Sequence, residues 1–434
     1  MAHTPHRSRR LFWLVVIIIV LGPLPYWASG IGQTAANLSA ELGRLPNGLP
    51  VSSPKAEALH QLTLPMRLER LILYPLLLIG FQLGGGAPVL RRRLTACFGS
   101  SIQAVPSPRP WYRRVTLPDF LLILSFVVIL DTGLALLYLP FNYYRGFVMG
   151  HQFGLSTQTA AGWLADWGKS LLLTLATDGL LWGGFYALLQ AAPRRWPIPA
   201  GALLLGFGFV YTLITPLLIT PLFYTVQPLE DAGLRARIVA LTQRAGMPVE
   251  TVEVIDASSK TTTVNAYFTG FGNDRRIVLY DTLLASYTPD QLEVVLAHEM
   301  GHWYYRHVFW GTVGLGVAGW LGLFGLKWLL GRTWQPLGLT GPADVAGLPY
   351  LLAVLAVVSI LTLPVENAIS RTAERQADTY ALALSQKPTA FIGLFEQFAG
   401  QNLSKVDPPA WEKLIFYTHP PIVERVQMAR AHLP

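Results

Sequence analysis

The chain has one cysteine, Cys97, among its 434 residues, so no disulfide can close within it. Cys97 stands near Arg91-Arg92-Arg93, where acylation is conceivable, and is read as an unmodified thiol. Charge is scarce too: Asp, Glu, Lys and Arg make up 13% of the residues, against about 25% in soluble domains. That shortage excludes an ordinary water-soluble fold. Motifs of nucleic-acid binding are also missing, so nucleic acid is not an expected partner.

What the chain has instead is apolar: 52% of its residues are hydrophobic and the mean hydropathy is +0.40. Roughly 20 such residues cross the hydrocarbon core of a bilayer. Runs of that kind lie at 11–28, 71–90, 120–144, 170–192, 198–226, 308–326 and 345–365. Seven spans are therefore predicted, the fifth kinked by Pro216 and Pro221. Arg7, Arg9 and Arg10 ahead of an apolar run ending near Ala28-Ser29-Gly30 also fit a cleavable signal peptide. The run is long enough to span, and six more follow, so a span is preferred. Residues 31–67, with Pro, Gly and charges, read as extramembrane. Asp131 and Asp178 are costly in lipid and are expected to face the interior of the bundle or a wet cavity.

Between the fifth and sixth spans stands His298-Glu299-Met300-Gly301-His302. Residues four apart share one face of a helix, so both imidazoles aim at one point and suit two ligands of one tetrahedral zinc. Glu299 can then act as general base on a water at that zinc. The helix has its own start signals: Thr288 as N-cap, Pro289 at the first position, Asp290 in the first turn and Gln291 for a capping box. A catalytic zinc needs a third protein ligand. Glu374 is a candidate, in a helical segment that carries a second carboxylate, Asp378, four residues on. His307, five residues past His302, is expected to point elsewhere.

The chain divides into a membrane region at 1–226, a mixed-polarity segment at 227–306, two spans at 307–366 and a C-terminal segment at 367–434 that completes the zinc site. Within 227–306, residues 234–245 read as an amphipathic helix, and 251–256, 264–268 and 276–280 as short strands. The turn-rich residues 269–273 connect the last two strands in sequence, 264–268 and 276–280. A strand edge beside a zinc site can bind an extended peptide through its main chain.

Taken together these residues resemble the type I CAAX prenyl endopeptidases, the a-factor-converting membrane zinc metalloproteases. The likeness rests on Asn265-Ala266-Tyr267-Phe268, Arg276 to Leu283 and His298 to His302, followed by Asn367, Ser370, Arg371, Glu374, Ala377 and Asp378. It ends with Thr418-His419-Pro420-Pro421, Glu424 and Arg425. It implies a mainly α, multi-pass membrane protein of about seven helices forming a chamber, with a small α+β metalloprotease domain. It further implies one Zn2+ per chain held by His298, His302 and Glu374, with Asp378 orienting a ligand histidine. His419 would steady the oxyanion or hold the substrate carbonyl, and Asn265 and Ala266 would lie on the substrate-binding edge. Arg371 and Arg425 are expected in structural ion pairs. Thr263-Val264 stands where eukaryotic members tend to have His-Ser, and no lysine-rich tail precedes Pro434; both point to a prokaryotic homologue.

The substrate is then a peptide or protein, lipid-modified or membrane-associated, met among membrane lipids. A broad-specificity quality-control metalloprotease is the alternative enzyme. A transporter or receptor with a structural zinc is the alternative outside that class, although such sites are commonly cysteine-rich and have no need of Glu299. Basic residues in the N-terminal tail, at 91–115 and at Arg194-Arg195 fall on one side of the seven-span arrangement. The positive-inside rule makes that side cytoplasmic and the catalytic face extracytoplasmic, as in a bacterial inner membrane.

Overall fold

The computed structural model describes residues 5–22, 37–99, 115–247, 249, 251–271 and 274–433. A helix occupies each expected span. The first is α1 (Pro5–Leu21), whose apolar part is short; residues 23–28 of the expected span, and the alternative cleavage site, lie outside the described residues. The second is a pair, α2 (Pro54–Leu83) and α3 (Gly86–Phe98), bent by 58°. Gly85 sits at the bend with φ +79°, backbone that glycine adopts without a Cβ penalty. α2 starts at Pro54, so the end of the 31–67 segment read as extramembrane is helical and continuous with the span. Ser53 caps it by accepting from the Ala56 N–H, and Pro54 takes the first position.

Five further helices are each long and apolar enough to cross a membrane: α4 (Leu117–Tyr143), α5 (Ala160–Ala191), α6 (Pro197–Ile214), α9 (His307–Thr333) and α10 (Leu348–Ser385). α4 and α6 each run on through a π-helical turn, at Tyr144–Val148 and Thr215–Ile219. Pro216 and Pro221 fall in and just after the second of these, where the sequence predicted a kink.

These helices form a ring. α1 packs on α2 and α4, α4 on α5, α6 on α9, and α10 on α2, while α5 and α6 touch only briefly. The ring is completed through α8 (Pro289–Tyr304), which packs on both α9 and α10. Among the described residues no two helices pack extensively across it. One end of the ring is closed by an apolar cluster that includes Phe126, Phe185, Trp196, Leu330 and Leu348. Basic residues gather at that end: Arg9 donates to the Gly84 carbonyl, Arg91 pairs with Asp344 at 2.8 Å, and Lys327 donates to the Arg194 carbonyl. Asp131 and Asp178 are half-buried neighbours on α4 and α5, and Asp131 Oδ2 is buried without a hydrogen-bond partner.

The other end carries a four-stranded sheet in the order β1 (Val226–Pro228), β2 (Thr251–Ile255), β4 (Asp274–Tyr280), β3 (Ala266–Phe271). β2 and β4 run parallel, the outer pairs antiparallel. β3 and β4 form the predicted hairpin, with residues 272–273 outside the described set. α7 (Ala232–Arg244), α8, α11 (Pro388–Gln401) and α13 (Ile422–Arg430) share one core that includes Ile238, Ile277, Leu296, Phe391 and Val426. α12 (Ala410–Phe416) packs on α10.

Residues 289–304 become a helix for the reasons legible in the sequence. Thr288 and Gln291 close a reciprocal capping box, and Pro289 follows the cap. What fixes α8 against α10 is Gly301. A Cβ at that position would stand 2.8 Å from Ala377 Cα and 3.1 Å from its carbonyl oxygen. Gly301→Val is therefore expected to lower stability by about 1–3 kcal/mol, as overpacking does, and to lower metal occupancy with it. Thermal unfolding in detergent with elemental analysis checks this; native stability with full occupancy would show that the close approach is dispensable.

Candidate metal centre

α8 supplies His298 and His302, and α10 supplies Glu374, from two helices held side by side at Gly301 and Ala377. One ligand-type atom from each lies within 4.8 Å of the others. His298 Nε2 is 3.1 Å from His302 Nε2 and 3.3 Å from Glu374 Oε2, and His302 Nε2 is 3.4 Å from Glu374 Oε1. Ligands ~2.0–2.1 Å from a tetrahedral ion stand about 3.3 Å apart, so the three atoms have the spacing such an ion requires. Glu374 Oε2 is buried with no hydrogen-bond partner, which a metal would satisfy. The residues fit the metal.

Around them sits a second layer of contacts. His298 Nδ1 lies 2.9 Å from Asp378 Oδ1. Asp378 is fully buried and accepts from both Nε and Nη2 of Arg425, whose guanidinium lies 3.7 Å over the Phe395 ring. Arg425 is thus in the ion pair the sequence suggested. Arg371 is in none among the described residues: it donates to the carbonyls of Lys413 and Tyr417, both at 2.7 Å, and so clamps the segment that leads to His419. His419 is exposed, with Nε2 at 3.3 Å from Glu374 Oε1 and Nδ1 at 2.8 Å from Thr418 Oγ1. The carboxylate of Glu299, next to the first histidine, has no hydrogen bond or ion pair among the described residues. Burial raises its pKa above the usual carboxylate range.

Asn265 is exposed and Ala266 buried, at the start of β3, the outermost strand, which packs on α8. The Asn265 carbonyl is bonded to the Tyr280 N–H, and its side chain accepts from the Ala266 N–H. The structure therefore packs the expected edge strand on the helix that carries the two histidines.

One expectation fails. His307 does not point away: its Nδ1 is 3.0 Å from His302 Nδ1 and its Nε2 is 2.9 Å from Gln376 Oε1. The helix count that placed it elsewhere assumes an unbroken helix. Instead α8 ends at Tyr304, Arg306 takes the left-handed conformation at φ 55°, and His307 opens α9 in a new direction. No Gly or Asn marks that break in the sequence. Gln376, on the solvated side of the α10 motif, gave no signal either.

A ring of membrane helices with two histidines and a carboxylate converging at one end defines a class, the integral-membrane metalloproteases. Comparison with known proteins agrees. Residues 228–433 match the family described as Peptidase family M48, and residues 70–225 the domain described as CAAX prenyl protease N-terminal, five membrane helices. The Bacillus subtilis (strain 168) protein named "Uncharacterized metalloprotease YhfN" is 32% identical over 325 residues, 74% of this chain and 76% of that one. Saccharomyces cerevisiae CAAX prenyl protease 1 is 32% identical over 323 residues, 70% of this chain and 71% of that one. The crystal structure of S. mikatae Ste24p shares the fold, with a TM-score of 0.69 at 23% identity over 96% of this chain and 99% of that one. The chain belongs to peptidase family M48, as a membrane metalloprotease of the CAAX prenyl protease type.

The electrostatics of the centre have a measurable consequence. Burial alone would push the His298 imidazole down, but the neighbouring carboxylates of Asp378 and Glu374 outweigh it and raise the pKa to about 9 in the metal-free site. Below that value a proton holds the nitrogen a metal needs, and above it the nitrogen is free. Metal uptake by the stripped protein is expected to weaken about tenfold per unit as pH falls below about 9. Titration with a competing chelator between pH 6 and ~9.5 measures the slope; a flat profile would remove the assigned coupling.

Proposed function

We propose that this protein is a zinc endopeptidase that hydrolyses peptide bonds at the end of the ring nearest the sheet. The observation that carries the reading is the convergence of His298, His302 and the unpartnered Glu374 Oε2 beside a Glu299 carboxylate that nothing else engages. One Zn2+ per chain, held by those three residues, would supply a Lewis acid that polarises the scissile carbonyl and activates a water. Glu299 takes the proton from the attacking water and hands it to the leaving amine. His419, on a loop held by Arg371, donates to the carbonyl oxygen as it gains charge, a contribution of a few kcal/mol. Asp378 fixes the His298 ring through Nδ1–H. An extended peptide would lie along β3 from Asn265 and Ala266, adding to the sheet edge.

The substrate fits a peptide or protein that reaches the site from the membrane, lipid-modified or membrane-associated, because the ring of helices is itself lipid-facing. The relatives named as CAAX prenyl proteases favour a substrate near a lipidated C-terminus over indiscriminate cleavage.

Glu299→Gln is expected to keep full zinc and lose cleavage by several orders of magnitude, because the ligands survive and the base does not. Glu374→Ala is expected to lose zinc and activity together. Elemental analysis beside a fluorogenic peptide assay separates the two, and stoichiometric zinc in Glu374→Ala would show the third ligand to be wrongly assigned.

Sidedness follows from charge. Arg9, Arg91, Arg194 and Lys327 lie at the end away from the sheet, and we take that end as cytoplasmic. The metal centre is then extracytoplasmic, in a bacterial inner membrane. Alkaline phosphatase fused after Pro434 is expected to be active and a fluorescent protein dark; the opposite pair of results places the site in the cytoplasm.

A further inference from the structure

We propose that His307 is a positioning residue that sets the tautomer and ring orientation of His302, with Gln376 setting His307 in turn. The inference rests on the reading of His298, His302 and Glu374 as metal ligands. Its force comes from the direction of the hydrogen bonds. His302 Nε2 faces His298 Nε2 and Glu374 at 3.1 and 3.4 Å, so it is the nitrogen turned to the metal and must keep its lone pair. The one proton of a neutral His302 is then on Nδ1, which can only donate.

The atom it meets, 3.0 Å away, is His307 Nδ1, which must therefore be the acceptor. That places the proton of His307 on Nε2, where it meets Gln376 Oε1 at 2.9 Å, an oxygen that only accepts. The chain is fixed from the metal end: Nδ1–H of His302 donates to His307, so Nε2–H of His307 donates to the amide oxygen of Gln376. The other tautomer of His307 would set two N–H groups against each other. The Tyr305 ring stacks on His307 with centroids 5.5 Å apart and planes 18° from parallel, which holds the imidazole in the plane this chain needs.

The two ligand histidines are thus backed differently. Nδ1 of His298 meets a carboxylate neutralised by Arg425, whereas Nδ1 of His302 meets a neutral ring. The left-handed Arg306 gains a purpose from this: it breaks the helix between Tyr304 and His307, so that the first residue of α9 meets His302 in the last turn of α8.

The test uses the full-length protein in detergent, with zinc affinity read by competition with a chromophoric chelator and ligand geometry by the absorption bands of the Co2+-substituted form. His307→Phe fills the space and removes the acceptor. It is expected to weaken zinc binding by about 10–100-fold and to shift the Co2+ bands. His307→Asn places an amide oxygen where Nδ1 stood and is expected to restore native affinity and bands to within about threefold. A Phe variant with native affinity and bands overturns the proposal, as does an Asn variant that falls as far as Phe. If the native protein itself takes up no zinc, the metal centre fails, and this inference with it.

Discussion

The approach of α8 to α10 at Gly301 and Ala377 is the constraint on which the rest depends. Each helix offers the same design: two polar groups four residues apart, with a small residue between them. On α8 these are His298 and His302 around Gly301; on α10 they are Glu374 and Asp378 around Ala377. Because the backbones nearly touch at the small residues, the polar groups above and below meet without reaching. One pair of encounters makes the metal face, and the other buries the Asp378 carboxylate behind His298. A larger residue at the contact would separate both at once.

Burying Asp378 is expensive unless its charge is matched, and Arg425 matches it with two donors while its planar face rests on Phe395. The C-terminal helix α13 is thereby tied to the centre by a pair whose loss on one side typically costs ~3–5 kcal/mol. Arg371 performs the matching task for the loop before α13. Its two bonds to main-chain oxygens make the position of His419 a property of α10. Segments nearly 130 residues apart in sequence, His298 and Arg425, are therefore organised from one helix.

Much of this was legible in the sequence, and the gaps have physical causes. The apolar runs located the membrane helices because lipid tolerates little else there. The α8 boundaries were legible because Thr288, Pro289 and Gln291 each act locally. The start of α2 was not, since Lys55, Glu57, Arg67, Glu69 and Arg70 dilute the hydropathy of its first half. The run expected as one span at 71–90 is instead broken by a 58° bend at Gly84-Gly85-Gly86, which hydropathy does not register. His307 could not be placed, because Arg306 gives no sign of a left-handed backbone and only the tertiary contact selects it. Arg371 was misread as an ion-pair partner because its acceptors are carbonyls, which no side-chain pattern reveals.

The continuity of α10 has a consequence for which sequence changes the chain can accept. The last span and the third residue of the metal cluster lie on one helix of 38 residues, with no loop between them. A loop absorbs an inserted residue as slack; a helix converts it into rotation. One residue added between Pro364 and Glu374 would turn the carboxylate through about 100° and advance it by about 1.5 Å, out of the face it shares with the histidines. Bilayer depth and ligand direction are geared together along that stretch, so its residue count is as much a part of the centre as the side chains.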